Sequence, residues 1–326
     1  MLRDYSIAIA AGVVAALIIF IASSNMFLAM LLLPFCTVPL FYVGLSQGYR
    51  AVFIAGGVAA VLPGLVLFDF FVSLSYTIMF FAPAAILVRS ALLNRTVSSG
   101  NTQWYPTGRL LALAASYFAL FFLALTAIAS SFEGGMLEVV RDRLSLLVGE
   151  NAEITTAPDG QSYEEALDAL VYNAAIGISS FAVICLAVSM MLAQTLLRRL
   201  GTPLRPSFQL IDIELPRWLS YAFAASFALA LIAPEPWGIV GGGLAATFAT
   251  PYFFLGIAVV HTIARRYSAG IIVLIAMYAL LLFAQPFSMM AMAGLGLAEQ
   301  WLYVRRRFGG GGSGPGGPGQ DLTRQE

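Results

Sequence analysis

With 60% hydrophobic and 10% charged residues over 326 positions, and a mean hydropathy of +0.87, the chain lies far from a soluble domain, where charged residues run at about 25%. It reads as an integral membrane protein, and recurring apolar runs of about 20 residues make it a helical one, since barrel strands are half as long and alternate. Net charge is +0, and all 17 basic residues are arginine, which excludes a lysine Schiff base and a Walker A lysine; one histidine excludes HExxH and other two-histidine metal sites.

The first run, residues 1–24, has Arg3 ahead of an apolar core and could pass for a signal peptide. A second run starts after Asn25, so a helical hairpin is the simpler reading. Ala8, Gly12 and Ala16 recur at four-residue spacing, the small-residue face that lets helices approach or dock closely. Residues 26–44 carry Pro34 and Pro39, each removing an amide donor, so this helix should be kinked. Residues 51–68 are broken by Pro63 and Gly64, and Asp69 marks a turn before 70–88, which contains Pro83. Arg89, Arg95 and Arg109 bracket a polar connector, followed by the run 110–132.

Residues 133–167 form an acidic extramembrane segment. Met136, Leu137, Val140, Leu144, Leu147 and Val148 fall on one helical face, as expected for a helix lying on the membrane surface; a partner-binding helix is the other reading. Residues 157–160 read as a turn, and Ser162 with Glu165 as a capping box for a helix running to Leu197. Arg198, Arg199, Arg205 and Arg217 surround a loop before 218–233, and a tight turn at 234–237 leads into 238–261. That stretch holds Gly241, Gly242 and Gly243, then Thr247, Thr250 and Pro251, and ends at His261. Pro251 leaves the Thr247 carbonyl without its amide, and the two threonine hydroxyls are expected to relieve it at a kink. Two last runs, 269–285 and 288–304, are divided by Pro286 and end in Arg305, Arg306 and Arg307. The Gly/Pro-rich tail, 308–326, is expected to be disordered and cytoplasmic.

The fold class expected is therefore all-α: a polytopic transmembrane bundle over residues 1–307, with about ten spans, several proline-kinked helices and both termini cytoplasmic. This arrangement leaves only Arg141 and Arg143 outside among the loop arginines, and it requires a real turn at Pro286. Asp69, Asn173, Glu235 and Trp237 then approach the outer face, where with Gly241, Gly242 and Gly243 they are candidate solute ligands; solvated helix ends and close helix packing are the plain alternatives. His261 and Glu299 approach the inner face as a candidate polar pair. Cys36 and Cys185 sit in apolar runs and read as small buried residues. No metal, cofactor, catalytic group or nucleic-acid partner is expected.

The stretch FLAMLLLPFCTVPLFYVGLSQGYRA, with Pro34, Pro39, Gly44 and Gly48, resembles the early helices of the YybS-like bacterial membrane family, domain of unknown function 2232. LGIAVVHTIARR and GLGLAEQWLYVRRR resemble that family's close, with Glu299 where an aspartate is expected. The resemblance implies kinship with the S components of energy-coupling-factor transporters, which capture small solutes and dock on a scaffold driven by separate ATPases. It also implies a bacterial inner-membrane location. S components have about six spans, so about ten implies added helices. Two readings follow: a transporter-like protein that binds a small solute in its outer half, or a non-transporting scaffold of the cell envelope.

Overall fold

The structure, a computed structural model, describes residues 2–22, 26–96, 102–148, 163–201, 203–207, 213–302 and 305. It is mostly helical. In chain order the elements are α1 (Leu2–Ala22), α2 (Met26–Leu32), a 3₁₀ turn (Leu33–Phe35), α3 (Val38–Gln47), α4 (Tyr49–Leu67), α5 (Phe70–Tyr76), a π-helical turn (Thr77–Phe81) and α6 (Ala82–Ala91). A short hairpin, β1 (Asn94–Thr96) and β2 (Thr102–Trp104), precedes α7 (Thr107–Ala129), α8 (Gly135–Val148), α9 (Tyr163–Leu200), α10 (Trp218–Ile232), α11 (Trp237–Ala264), α12 (Gly270–Phe283) and α13 (Phe287–Leu302). Two units make up the chain, Met1–Tyr252 and Phe253–Glu326, and the division falls inside α11 just after Pro251.

Six helical segments are long and apolar enough to cross a membrane: Tyr5–Ala22, Tyr49–Leu67, Phe70–Ala91, Thr107–Ala129, Leu167–Leu200 and Trp237–Ala264. The expectation of about ten spans is thus carried for six. Leu33–Gln47, Trp218–Ile232 and Gly270–Phe283 are shorter apolar helices, and α13 is only 16 residues long. At 1.5 Å per residue a helix of 15 residues reaches about 22 Å, short of a hydrocarbon core of about 30 Å. By the same rise α9, with 38 residues, reaches about 57 Å and must project beyond that core.

In the first unit α1 packs on α4 through the small-residue face read from the sequence. Ala8 and Ala16 are buried, and a β-carbon at Gly12 would stand 2.5 Å from the Ala55 carbonyl oxygen. At these positions the small residues serve a contact within the chain. Pro34 interrupts the next helix as expected: α2 gives way to the 3₁₀ turn, and α3 restarts with Pro39 in its first turn, where a missing amide costs nothing. The Pro34 carbonyl accepts from the hydroxyl of Ser189 on α9, so a polar group exposed by the break is satisfied across the bundle.

Helix α8 forms where the amphipathic pattern put it, and part of its apolar face packs on protein. Met136 joins a buried cluster with Phe122, Ala129 and Ala175, and Leu144 packs with Leu167 and Val171 of α9. Arg141 pairs with Asp168 across the same contact. The turn at 157–160, Ser162 and the tail at 308–326 lie outside the described residues.

One end of this unit gathers the arginine-bearing connectors. The Leu204 amide donates to the Leu45 carbonyl at 3.0 Å, and a β-carbon at Gly108 would meet the Glu214 carbonyl oxygen at 1.9 Å. Arg205 is buried and donates to the carbonyls of Ala91, at 2.8 Å, and Tyr105, at 2.7 Å, with its guanidinium 5.9 Å from the Trp104 ring centroid. Burial pulls its pKa down to about 10, which leaves it cationic at neutral pH. Ala91 closes α6 and Tyr105 follows β2, so this cation holds the hairpin against a negative helix terminus. The hairpin is a correction to an all-α expectation: the Asn/Thr-rich connector pairs as strands, Asn94 opposite Trp104 and Thr96 opposite Thr102.

The second unit holds the end of α11 with α12 and α13. A β-carbon at Gly256 would lie 2.0 Å from the Met292 carbonyl oxygen, so α11 and α13 meet backbone to backbone. Helix ends at Phe283 and restarts at Phe287, which makes Pro286 the real turn that the arginine pattern required.

Candidate functional site

A cleft of about 490 Å³ opens beside α5. It is lined by Asp69, Phe71, Val72, Ser75 and Tyr76, by Met79 and Phe80 of the π-helical turn, and by Ile19 of α1. Its volume falls within the ordinary range of small-molecule pockets, about 300–1,000 Å³.

Three local features of the sequence build this cleft. The first is a tight turn between α4 and α5, where Phe68 adopts a left-handed backbone with φ 52°, uncommon for a bulky residue and costing about 1–2 kcal/mol. Gly64 permits it, since a β-carbon there would stand 1.9 Å from the Ser73 Oγ. Asp69 then caps α5, its carboxylate accepting from the Phe71 amide at 2.8 Å. That bond engages one oxygen and leaves the carboxylate at the exposed rim of the cleft.

The second feature is the π-helical turn, and Pro83 is its sequence correlate. The Ala82 amide donates to the Thr77 carbonyl five residues back, and the next amide in that pattern, which would serve Ile78, is missing at the proline. Tyr117 of α7 donates its hydroxyl to the Ile78 carbonyl at 2.7 Å instead. Phe81 seats the turn on α4: Gly56 leaves it room, and Phe81 meets Phe53 edge to face at 5.7 Å between centroids.

The third is Tyr76. It is 2% exposed, its ring lies 5.6 Å from that of Phe80, and its phenol oxygen has no hydrogen-bond partner among the described residues. A buried hydroxyl without a partner costs about 1–3 kcal/mol, and this one is closed off from the cleft, so the cost falls on the packing behind it. Sequence reading selected Asp69 and missed Tyr76, because a tyrosine inside an apolar run looks like core.

The other candidate ligands are not brought to this cleft. Asn173 donates to the Ala169 carbonyl on its own helix, and the Glu235 carboxylate accepts from the Ile239 amide in the first turn of α11. Trp237 is exposed at that helix start. The three glycines face protein: β-carbons at Gly241, Gly242 and Gly243 would meet Ala230, Ile176 and Phe122, the first and last at under 2.5 Å. Close packing is what they serve in this fold.

At Pro251 the helix runs on unbroken. The hydroxyl of Thr247 donates to Gly243 at 2.7 Å and that of Thr250 to Ala246 at 3.0 Å, so neither relieves the Thr247 carbonyl as the sequence suggested. Each hydroxyl finds the carbonyl four residues earlier on its own helix, the nearest acceptor a helical threonine has.

His261 and Glu299 take different partners. The His261 ring lies 2.9 Å from the Ile257 carbonyl through Nδ1 and 3.4 Å from the Tyr278 hydroxyl through Nε2. Glu299, 5% exposed, pairs with Arg305 at 2.9 Å and also accepts from the Arg305 backbone amide. Cys36 and Cys185 are free and buried, as expected. Among the described residues no cluster of histidine, cysteine and carboxylates has the makings of a metal site.

Neither the curated proteins nor the solved structures include a match to this chain. One protein family does, that described as Predicted membrane protein (DUF2232), over residues 6–299. That range reaches all six candidate spans and the cleft beside α5, and the chain belongs to this family of membrane proteins.

Proposed function

We propose that this chain is a multi-pass protein of a bacterial inner membrane that binds a small solute in the cleft beside α5. The observation that carries the reading is the cleft itself, about 490 Å³, with the exposed Asp69 carboxylate among its lining beside Phe71, Val72 and Ser75. The strained turn at Phe68 and the π-helical turn flank the same cleft, and both kinds of irregularity concentrate at functional sites. Under the arginine sidedness Asp69 approaches the outer face, so the cleft faces the compartment from which a solute would be captured.

A transporter-like role, with the chain as the solute-binding partner of separate ATPase subunits, extends this reading. It is supported by the absence of any lysine for a Walker A loop. Saturation binding by the purified chain against a vitamin and metabolite panel tests the first step; no ligand from the panel would sink the reading. Co-purification from native membranes tests the second, with an associated ATPase expected. A reporter placed after residue 307 is expected to be cytoplasmic, and a periplasmic signal would overturn the sidedness. The rival reading is a non-transporting scaffold of the cell envelope that uses α8 and the tail; crosslinking would then recover stable protein partners rather than solutes.

A further inference from the structure

We propose that the arginine-bearing end of the first unit holds anionic phospholipids, each seated with its phosphate on a guanidinium and its acyl chain on the helix flank beneath. Four of the six candidate spans carry arginine within three residues of that end. Arg50 lies near the start of Tyr49–Leu67, Arg89 near the close of Phe70–Ala91, Arg109 near the start of Thr107–Ala129, and Arg198 with Arg199 near the close of Leu167–Leu200. All five are exposed, and the bonds made by Leu204 and Arg205 draw these span ends together. Side chains at the ends of spans lie at headgroup depth, and long basic ones extend toward the phosphates.

Three of these arginines share a helix face with an exposed apolar side chain three residues deeper in the span: Arg50 with Phe53, Arg89 with Ile86 and Arg199 with Leu196. Those apolar neighbours are 53%, 40% and 40% exposed. A lipid presents a phosphate and a hydrocarbon chain together and fills both halves of such a seat. A free phosphate or an acidic peptide would use only the guanidinium. Among the described residues no ion pair neutralises Arg50, Arg89 or Arg199, and Glu214 is the one carboxylate at that end whose side chain is described. Every basic residue of the chain is arginine, whose planar fork takes two phosphate oxygens at once. The surface is separate from the cleft beside α5 and does not depend on a solute there.

The test titrates the full chain in mixed micelles with dioleoylphosphatidylglycerol or dioleoylphosphatidylcholine and counts retained lipids by native mass spectrometry. The anionic lipid is expected to bind about fivefold tighter at each seat, the worth of one arginine at a charged membrane surface. The triple variant Arg50→Gln, Arg89→Gln, Arg199→Gln should lose that preference, and Glu214→Gln should keep or enlarge it. For the unaltered chain, raising the salt from 50 mM to 500 mM should shrink the preference, a measurement that needs no variant to fold. Equal retention of the two lipids, a preference that survives the triple variant, or displacement of the lipid by millimolar inorganic phosphate would overturn the proposal. So would recovery from native membranes of an acidic protein held by these arginines in place of lipid.

Discussion

Arg205 donates to the carbonyl of Ala91 at 2.8 Å, joining the loop after α9 to the end of α6 across 114 positions of sequence. A second donation, to Tyr105 at 2.7 Å, makes the guanidinium a fork between two backbone segments. Arg205→Ala strands both carbonyls and should cost about 3 kcal/mol, from two charge-assisted bonds of about 1.5–3 kcal/mol each, partly recovered by water. Arg205→Lys keeps a charge but cannot fork, and should cost about half as much. The thermal midpoint in detergent measures both. Because the Arg205 pKa is lowered to about 10, the folded state binds fewer protons than the unfolded one only above that value, where stability rises with pH. This group's contribution to wild-type stability should therefore stay flat from about pH 6 to 9.

Gly12 and Gly57 test whether a helical glycine is there for contact. A β-carbon at Gly12 meets Ala55 and Val58 within 3 Å, whereas one at Gly57 meets nothing within 4 Å. Gly12→Ala should destabilise by about 1–3 kcal/mol through overpacking. Gly57→Ala should be neutral or raise stability by up to about 1 kcal/mol, the helix-propensity gain. Equal effects on the thermal midpoint would contradict the α1 to α4 packing.

Ser189 and Ser179 sit on the same helix, both buried, and differ in having a partner. Ser189 donates to the Pro34 carbonyl at the break between α2 and α3, while the Ser179 oxygen has no partner among the described residues. Ser189→Ala should cost about 1–2 kcal/mol, since it leaves a buried carbonyl unmet. Ser179→Ala should cost nothing. Chemical denaturation in mixed micelles separates the two.

Glu299 and Arg305 should show coupling in a double-mutant cycle, and Glu299 and His261 should not. The first two share an ion pair at 2.9 Å with the carboxylate buried. Arg305→Ala leaves that carboxylate unpaired, with an expected loss of about 3 kcal/mol or more, and the coupling should exceed about 1 kcal/mol. His261→Ala and Glu299→Gln share no partner, so their effects should add within about 0.5 kcal/mol. A larger deviation would restore the pair that the sequence suggested.

Much of this architecture was legible residue by residue. Composition alone decided for a helical membrane protein, because lipid leaves backbone groups no partner but their own helix. Pro34 and Pro286 marked real breaks, and the spacing of Ala8, Gly12 and Ala16 marked a contact face, since each depends only on local backbone chemistry. Asp69 was visible as a turn residue for the same reason.

What tertiary structure alone decided is which group meets which. Glycine at 241–243 serves equally well beside a ligand or beside a helix, and only the neighbours Ala230, Ile176 and Phe122 choose between them. The apolar stripe of α8 suits lipid or protein alike, because both are dry, and only the fold brings its Leu144 against Leu167 and Val171 of α9. Tyr76 is the clearest case. Any buried tyrosine can carry a satisfied hydroxyl, so an unmet one is a property of its surroundings, of the π-helical turn beside it and the core around it, and no stretch of sequence contains that fact.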